Sequence, residues 1–168
     1  INHLDLWVRN GVPGHRFPLP LVPGSEVAGT VESVGPGVDD LELGAPVLLG
    51  AGVACGTCLR CLAGQDWLCP RFGLLGEHRD GGYAEFIAVP ERGVVHLPAE
   101  IPFEHAAIMM CSSSTSFHAL RKTKMQPGET VTVFGAGGLG MSAIQLARGL
   151  GALAVYAGMV LVGTGVIR

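Results

Sequence analysis

The sequence predicts a β-rich first domain, closed into a small barrel, followed by the opening of a parallel α/β domain. Three observations carry this. Short strand-like runs separated by Gly and Pro fill the first hundred residues, the texture turns helical after Pro98, and an apolar strand, a glycine turn and an amphipathic helix follow each other from 130 to 152.

Taken in order, EVAGTVESVG (26–35), APVLL (45–49), YAEFIAV (83–89) and GVVHL (93–97) are rich in β-branched or aromatic residues and bounded by turn formers. They read as strands of an irregular, closed all-β domain. FEHAAIMM and STSFHALRK then read as helices. In TVTVFGAGGLGMSAIQLARGLGA, the helix that follows the strand carries Leu139, Ala143, Leu146, Ala147 and Leu150 on one face. That is the start of a βαβ unit, and the expected domains are 1–125 and 126–168, the second incomplete.

Composition narrows the function. Hydrophobic residues are 48% and charged residues 15%, enough apolar surface for a core and too little charge for a disordered tail. The net charge of -3 gives no reason to expect nucleic acid, and Arg121, Lys122 and Lys124 read as a solvated helix end. The chain starts at Ile1 with no Met and no signal peptide pattern, so a truncated start and a cytoplasmic origin are expected. Residues 149–167 are uncharged over a length that formally reaches a membrane span, but glycines and β-branched residues make a buried strand followed by altered sequence the better reading. No membrane partner is expected.

Four of the five cysteines lie in one lobe, 52–70, as Cys55, Cys58, Cys61 and Cys69 in CxxCxxCx7C spacing. Tight turns with two residues between ligands bring thiolates to one point, as a tetrahedral zinc requires. Disulfides fit clustered cysteines poorly, and a redox CxxC would need a strand leading into a helix at the motif. Four protein thiolates close the coordination sphere, so such a zinc orders a loop and takes no part in chemistry. Further on, Gly135, Gly137 and Gly140 stand in GxGxxG register between strand and helix. The first allows a tight turn, the second a close approach of backbone to a pyrophosphate, the third close helix packing. With Gly138 and Leu139 they form the candidate cofactor turn.

These motifs, with GSEVAGTVESVGPGV (24–38) and GGYAEF (81–86), resemble the medium-chain dehydrogenase/reductase superfamily of zinc-type alcohol dehydrogenases and quinone oxidoreductase relatives. The resemblance runs from Ile1 to about Ala152. It implies a GroES-like barrel domain followed by a Rossmann domain, here truncated, with NAD(H) or NADP(H) between them, a structural zinc, a small-molecule substrate and assembly as dimer or tetramer.

The resemblance also locates where a catalytic zinc would sit. Asn2 stands in place of the first Cys ligand, Ser25 in place of the His ligand, and only Cys111 matches a ligand position; Asp5 and Glu26 keep acidic positions. Asn and Ser supply neither thiolate nor imidazole. Leu4 replaces the hydroxyl that relays the alcohol proton. The expected activity is therefore hydride transfer to or from a small alcohol, carbonyl, quinone or enone without catalytic zinc, conjugation taking the place of the Lewis acid. A degenerate zinc site using Cys111, Glu26 and water, or a non-catalytic zinc-stabilised binding module, are the alternatives. His3 is a candidate for cofactor-phosphate contact, His118 is expected to pack within its helix, and His15, His78, His96 and His105 carry no distinguishing context. The missing acidic residue after the second strand, and a sheet with exposed edges, predict that this chain alone binds cofactor poorly.

Overall fold

The structure, a computed structural model, describes residues 1–158. By contacts the chain forms two compact units, Ile1–Cys111 and the segment from Ser112 onward, each taken by itself below. The boundary lies at Cys111/Ser112, where the sequence placed it at 125/126.

In the first unit, helix α1 (His3–Asn10) opens the chain. It was not expected, yet its start is written in the sequence: Asn2 accepts the Leu4 N–H while the Asp5 carboxylate accepts the Asn2 N–H, a reciprocal cap that satisfies two orphan donors of the first turn. Strands β1 (Val27–Thr30) and β2 (Pro46–Leu49) pair antiparallel, with Val27 opposite Leu49.

β2 is the central strand. Its Val47, Leu48 and Leu49 are buried, and β5 (Val94–His96) flanks its other edge. A second pair, β3 (Gly52–Val53) and β4 (Gly73–Leu74), forms the neck of the cysteine lobe, which contains the short helix α2 (Leu59–Leu62). Helix α3 (Phe103–Ile108) buries Ala106 against Leu48 and Leu97. It runs into a π-helical turn, Met109–Ser113.

One expectation fails here. Among the described residues β1, β2 and β5 form one three-stranded sheet, and 83–89 forms no strand. The reason is local competition for hydrogen bonds. The N–H groups of Gly81, Gly82 and Tyr83 donate to the carbonyls of Val22, Gly24 and Pro23, and the Tyr83 hydroxyl donates to Asp5 at 2.7 Å. Those bonds turn the segment before a ladder with β1 can form. Glycine is required at this crossing: a Cβ on Gly81 would meet the Pro23 carbonyl oxygen at 2.6 Å.

In the second unit, helix α4 (Ser114–Thr123) packs on α5 (Gly138–Gly149), and Ser116 Oγ donates to the Leu139 carbonyl at 2.8 Å. β6 (Thr130–Phe134) and β7 (Ala154–Gly158) pair parallel, Thr130 opposite Ala154, with α5 as the crossover. The strand, turn and helix thus follow one another as the sequence predicts, but the strand after them is not the buried one expected: no residue of β7 is buried, and Tyr156 is exposed. The expected altered tail of the chain falls mainly on residues 159–168, outside the described residues. Among the described residues no helix is long and apolar enough to cross a membrane.

Candidate functional site

Four thiols converge at the tip of the lobe. The metal-binding atoms of Cys55, Cys58, Cys61 and Cys69 all lie within 4.8 Å of one another. Cys58 and Cys61 sulfurs are 3.5 Å apart, and Cys55 and Cys61 sulfurs 3.8 Å. A tetrahedral ion with metal–sulfur bonds of ~2.3 Å sets sulfur–sulfur distances of ~3.8 Å, so the donors fit zinc in kind and spacing. None of the four is in a disulfide.

Backbone N–H groups orient the sulfurs: Cys55 N and Arg71 N both donate to Cys69 Sγ, at 3.4 and 3.3 Å. The backbone N–H of Thr57, then that of Cys58, holds the Cys55 thiol down at about 5. Burial pushes the Cys61 thiol up to about 12. A divalent ion held by all four would take them as thiolates. Gly56 and Gly64 take φ of 78° and 70°, the left-handed turns that bend the lobe.

A second cluster joins α1 to 24–26 and the π-helical turn. Asp5 is buried, 6% exposed, and its oxygens accept from Asn2 N, Gly24 N at 3.0 Å and the Tyr83 hydroxyl. Asn2 Nδ2 donates to Glu26 Oε1 at 3.3 Å and to Cys111 Sγ at 3.1 Å. Ser25, next to Glu26 in the sequence, is buried, 4% exposed.

The structure therefore brings together Asn2, Glu26 and Cys111, with Asp5 supporting Asn2. His3 does not join them. It is exposed and faces Trp7, ring centroids 6.3 Å apart. His118 is exposed on α4. Tyr83 lies in the GGYAEF segment, and no local signal in the sequence reveals that its hydroxyl reaches back to Asp5. Burial and the Asp5 carboxylate push that phenol up to about 12.

At the glycine turn, Gly135 has φ of 98° and its N–H donates to the Gly158 carbonyl at 2.8 Å, which fixes the bend after β6. A Cβ on Gly140 would collide with the Gly135 carbonyl oxygen, so helix and turn touch there. A Cβ on Gly137 or Gly138 would meet nothing within 4 Å, leaving the N-terminal N–H groups of α5 approachable.

A β domain with a four-thiol lobe, followed by a glycine-turn βαβ unit, defines the medium-chain dehydrogenase/reductase class. Residues 1–99 match the alcohol dehydrogenase GroES-like domain, and the chain belongs to that family. It is 42% identical over 150 residues to an alcohol dehydrogenase of Geobacillus stearothermophilus, across 89% of this chain and 44% of that protein. A crystal structure of an NAD-dependent alcohol dehydrogenase superposes with TM-score 0.86 at 42% identity, covering 94% of this chain and 47% of the other. A cobalt- and zinc-bound thermostable alcohol dehydrogenase from Pyrobaculum aerophilum gives TM-score 0.80 at 36% identity, again over 94% and 47%. The chain spans less than half the length of these relatives.

Proposed function

We propose that the protein is an NAD(P)-dependent oxidoreductase that moves hydride to or from a small carbonyl, alcohol, quinone or enone, with zinc in the cysteine lobe and none in the Asn2–Cys111 cluster. One observation carries the second half. Asn2 Oδ1 is committed to the Leu4 N–H at the start of α1, so the Asn2 face toward Glu26 and Cys111 is an N–H donor, which has no lone pair to give a metal.

In this reading the nicotinamide cofactor, which gives or takes the hydride, binds at Gly135, Gly137, Gly138, Leu139 and Gly140, supported by the open approach over Gly137 and Gly138. There the α5 N-terminus would favour the pyrophosphate. Within the first unit, buried Ser25 and the bond from the half-exposed Tyr83 hydroxyl to buried Asp5 would hold the surroundings of Asn2 rigid. Without a Lewis acid, a substrate whose developing negative charge spreads by conjugation suits the site better than a simple alcohol. Assembly as a dimer or tetramer belongs to the same reading, supported by exposed Leu59, Leu62 and Trp67 on the lobe.

The test uses the full-length protein. Cys111→Ser should leave its zinc content unchanged, and activity on an enone or quinone with NADH or NADPH should persist after dialysis against a mild chelator. Loss of one zinc equivalent in Cys111→Ser would overturn the reading.

A further inference from the structure

Away from both clusters, His15, Glu77 and His78 converge from two segments distant in sequence. Their ligand-type atoms lie within 4.8 Å of one another. Glu77 is the pivot: Oε1 lies 3.5 Å from His15 Nε2 and Oε2 lies 3.8 Å from His78 Nδ1. Its side chain is 14% exposed while those of His15 and His78 are 42% and 46%, so the carboxylate is sheltered and the imidazoles line the solvent side. Phe17 packs on the His15 ring at 4.6 Å, and the two imidazoles meet edge to face at 6.2 Å.

We infer that this trio is a second metal site, for an exchangeable divalent ion of the zinc or cobalt class. Two imidazoles and one carboxylate are borderline donors suited to those ions, and three protein ligands leave further positions to water. A tetrahedral ion sets donor spacings of ~3.3 Å, and the exposed rings can close that gap by side-chain rotation. One local bond is exchanged: His78 Nδ1 accepts the Leu74 N–H at 3.2 Å, and water replaces it at this exposed position when the ion takes the lone pair.

The ion would act as a clip. It ties the loop holding His15 to the turn after β4, and that turn is held against 24–26: a Cβ on Gly76 would lie 2.7 Å from the Gly24 nitrogen. Occupancy of the clip therefore stiffens the backbone that presents Ser25 and Glu26.

The full-length protein, with zinc retained in its cysteine lobe and exchangeable metal removed by a mild chelator, is titrated with Co2+ alone. One further equivalent should bind, with a ligand-field spectrum that lacks thiolate charge transfer and a rise in melting temperature. His15→Ala and His78→Ala should each weaken it at least about tenfold, while His105→Ala and Cys111→Ser should not. Absence of a further equivalent, thiolate charge transfer in its spectrum, or uptake undiminished in both His15→Ala and His78→Ala would overturn the inference. Failure of the proposed chemistry shows instead as zinc lost in Cys111→Ser.

Discussion

Asn2 does two things with one amide, capping α1 through its oxygen and bridging Glu26 to Cys111 through its nitrogen. Asn2→Ala should therefore cost about 1–2 kcal/mol of stability in urea unfolding, an N-cap loss plus a stranded acceptor. Tyr83 gives a pH signature. Its phenol is raised from the ordinary 10.0 to about 12, so the fold favours the neutral form. That contribution is whole below pH 10 and disappears as pH rises through about 12. Tyr83→Phe should flatten the alkaline fall in stability across this window, measured by denaturation at stepped pH. Gly24 is constrained from both sides: φ is 102°, and a Cβ would press on the Tyr83 ring at 2.7 Å. Gly24→Ala should cost more than a surface change of the same size, several kcal/mol when backbone strain and the clash add. At this scale the sequence singled out Asn2, Glu26 and Cys111, and the structure brings the three into hydrogen-bond contact. The sequence hid the Asp5–Tyr83 bond, because 78 residues separate the partners and nothing in either neighbourhood points to the other.

The cysteine lobe is an element whose core is its own ligands. Ala54, Cys61 and Cys69 are buried, while Leu59, Leu62 and Trp67 are 85%, 72% and 62% exposed. With so little apolar burial, a metal held by the four thiols would supply much of the lobe's order, on the order of 10 kcal/mol. Stripping the metal with a strong chelator, or Cys61→Ser, should unfold 55–69 while leaving β1, β2 and β5 paired. Hydrogen exchange localised to that stretch, with a change in Trp67 fluorescence, checks it. The Arg92–Asp66 pair, both Nη2 contacts at 2.8 Å, also ties the lobe down but is more than a third exposed. Arg92→Ala should cost under about 1 kcal/mol. The lobe was legible from spacing alone because its ligands are local in sequence. The strand expected at 83–89 was misread because β propensity reports a half-buried pleat, whereas the Gly81–Gly82 crossing spends those N–H groups on 22–24.

Across the whole molecule, burial is uneven. The first unit centres on β2, buried along Val47, Leu48 and Leu49, whereas Phe134, Leu153 and Tyr156 around β6 and β7 are 79%, 79% and 63% exposed. Native-state hydrogen exchange of this chain should show β6, α5 and β7 opening with lower free energy than β2. The order of the α/β unit was legible because strand, glycine turn and helix are contiguous. The boundary at Cys111 was not, since α4 joins α5 through the Ser116 hydroxyl rather than through any break in composition. The amide at position 2 has a last consequence for engineering. A thiol placed there would remove the group that starts the first helix and strand the acceptors it now serves, so any redesign of this corner must supply a new cap together with the new side chain.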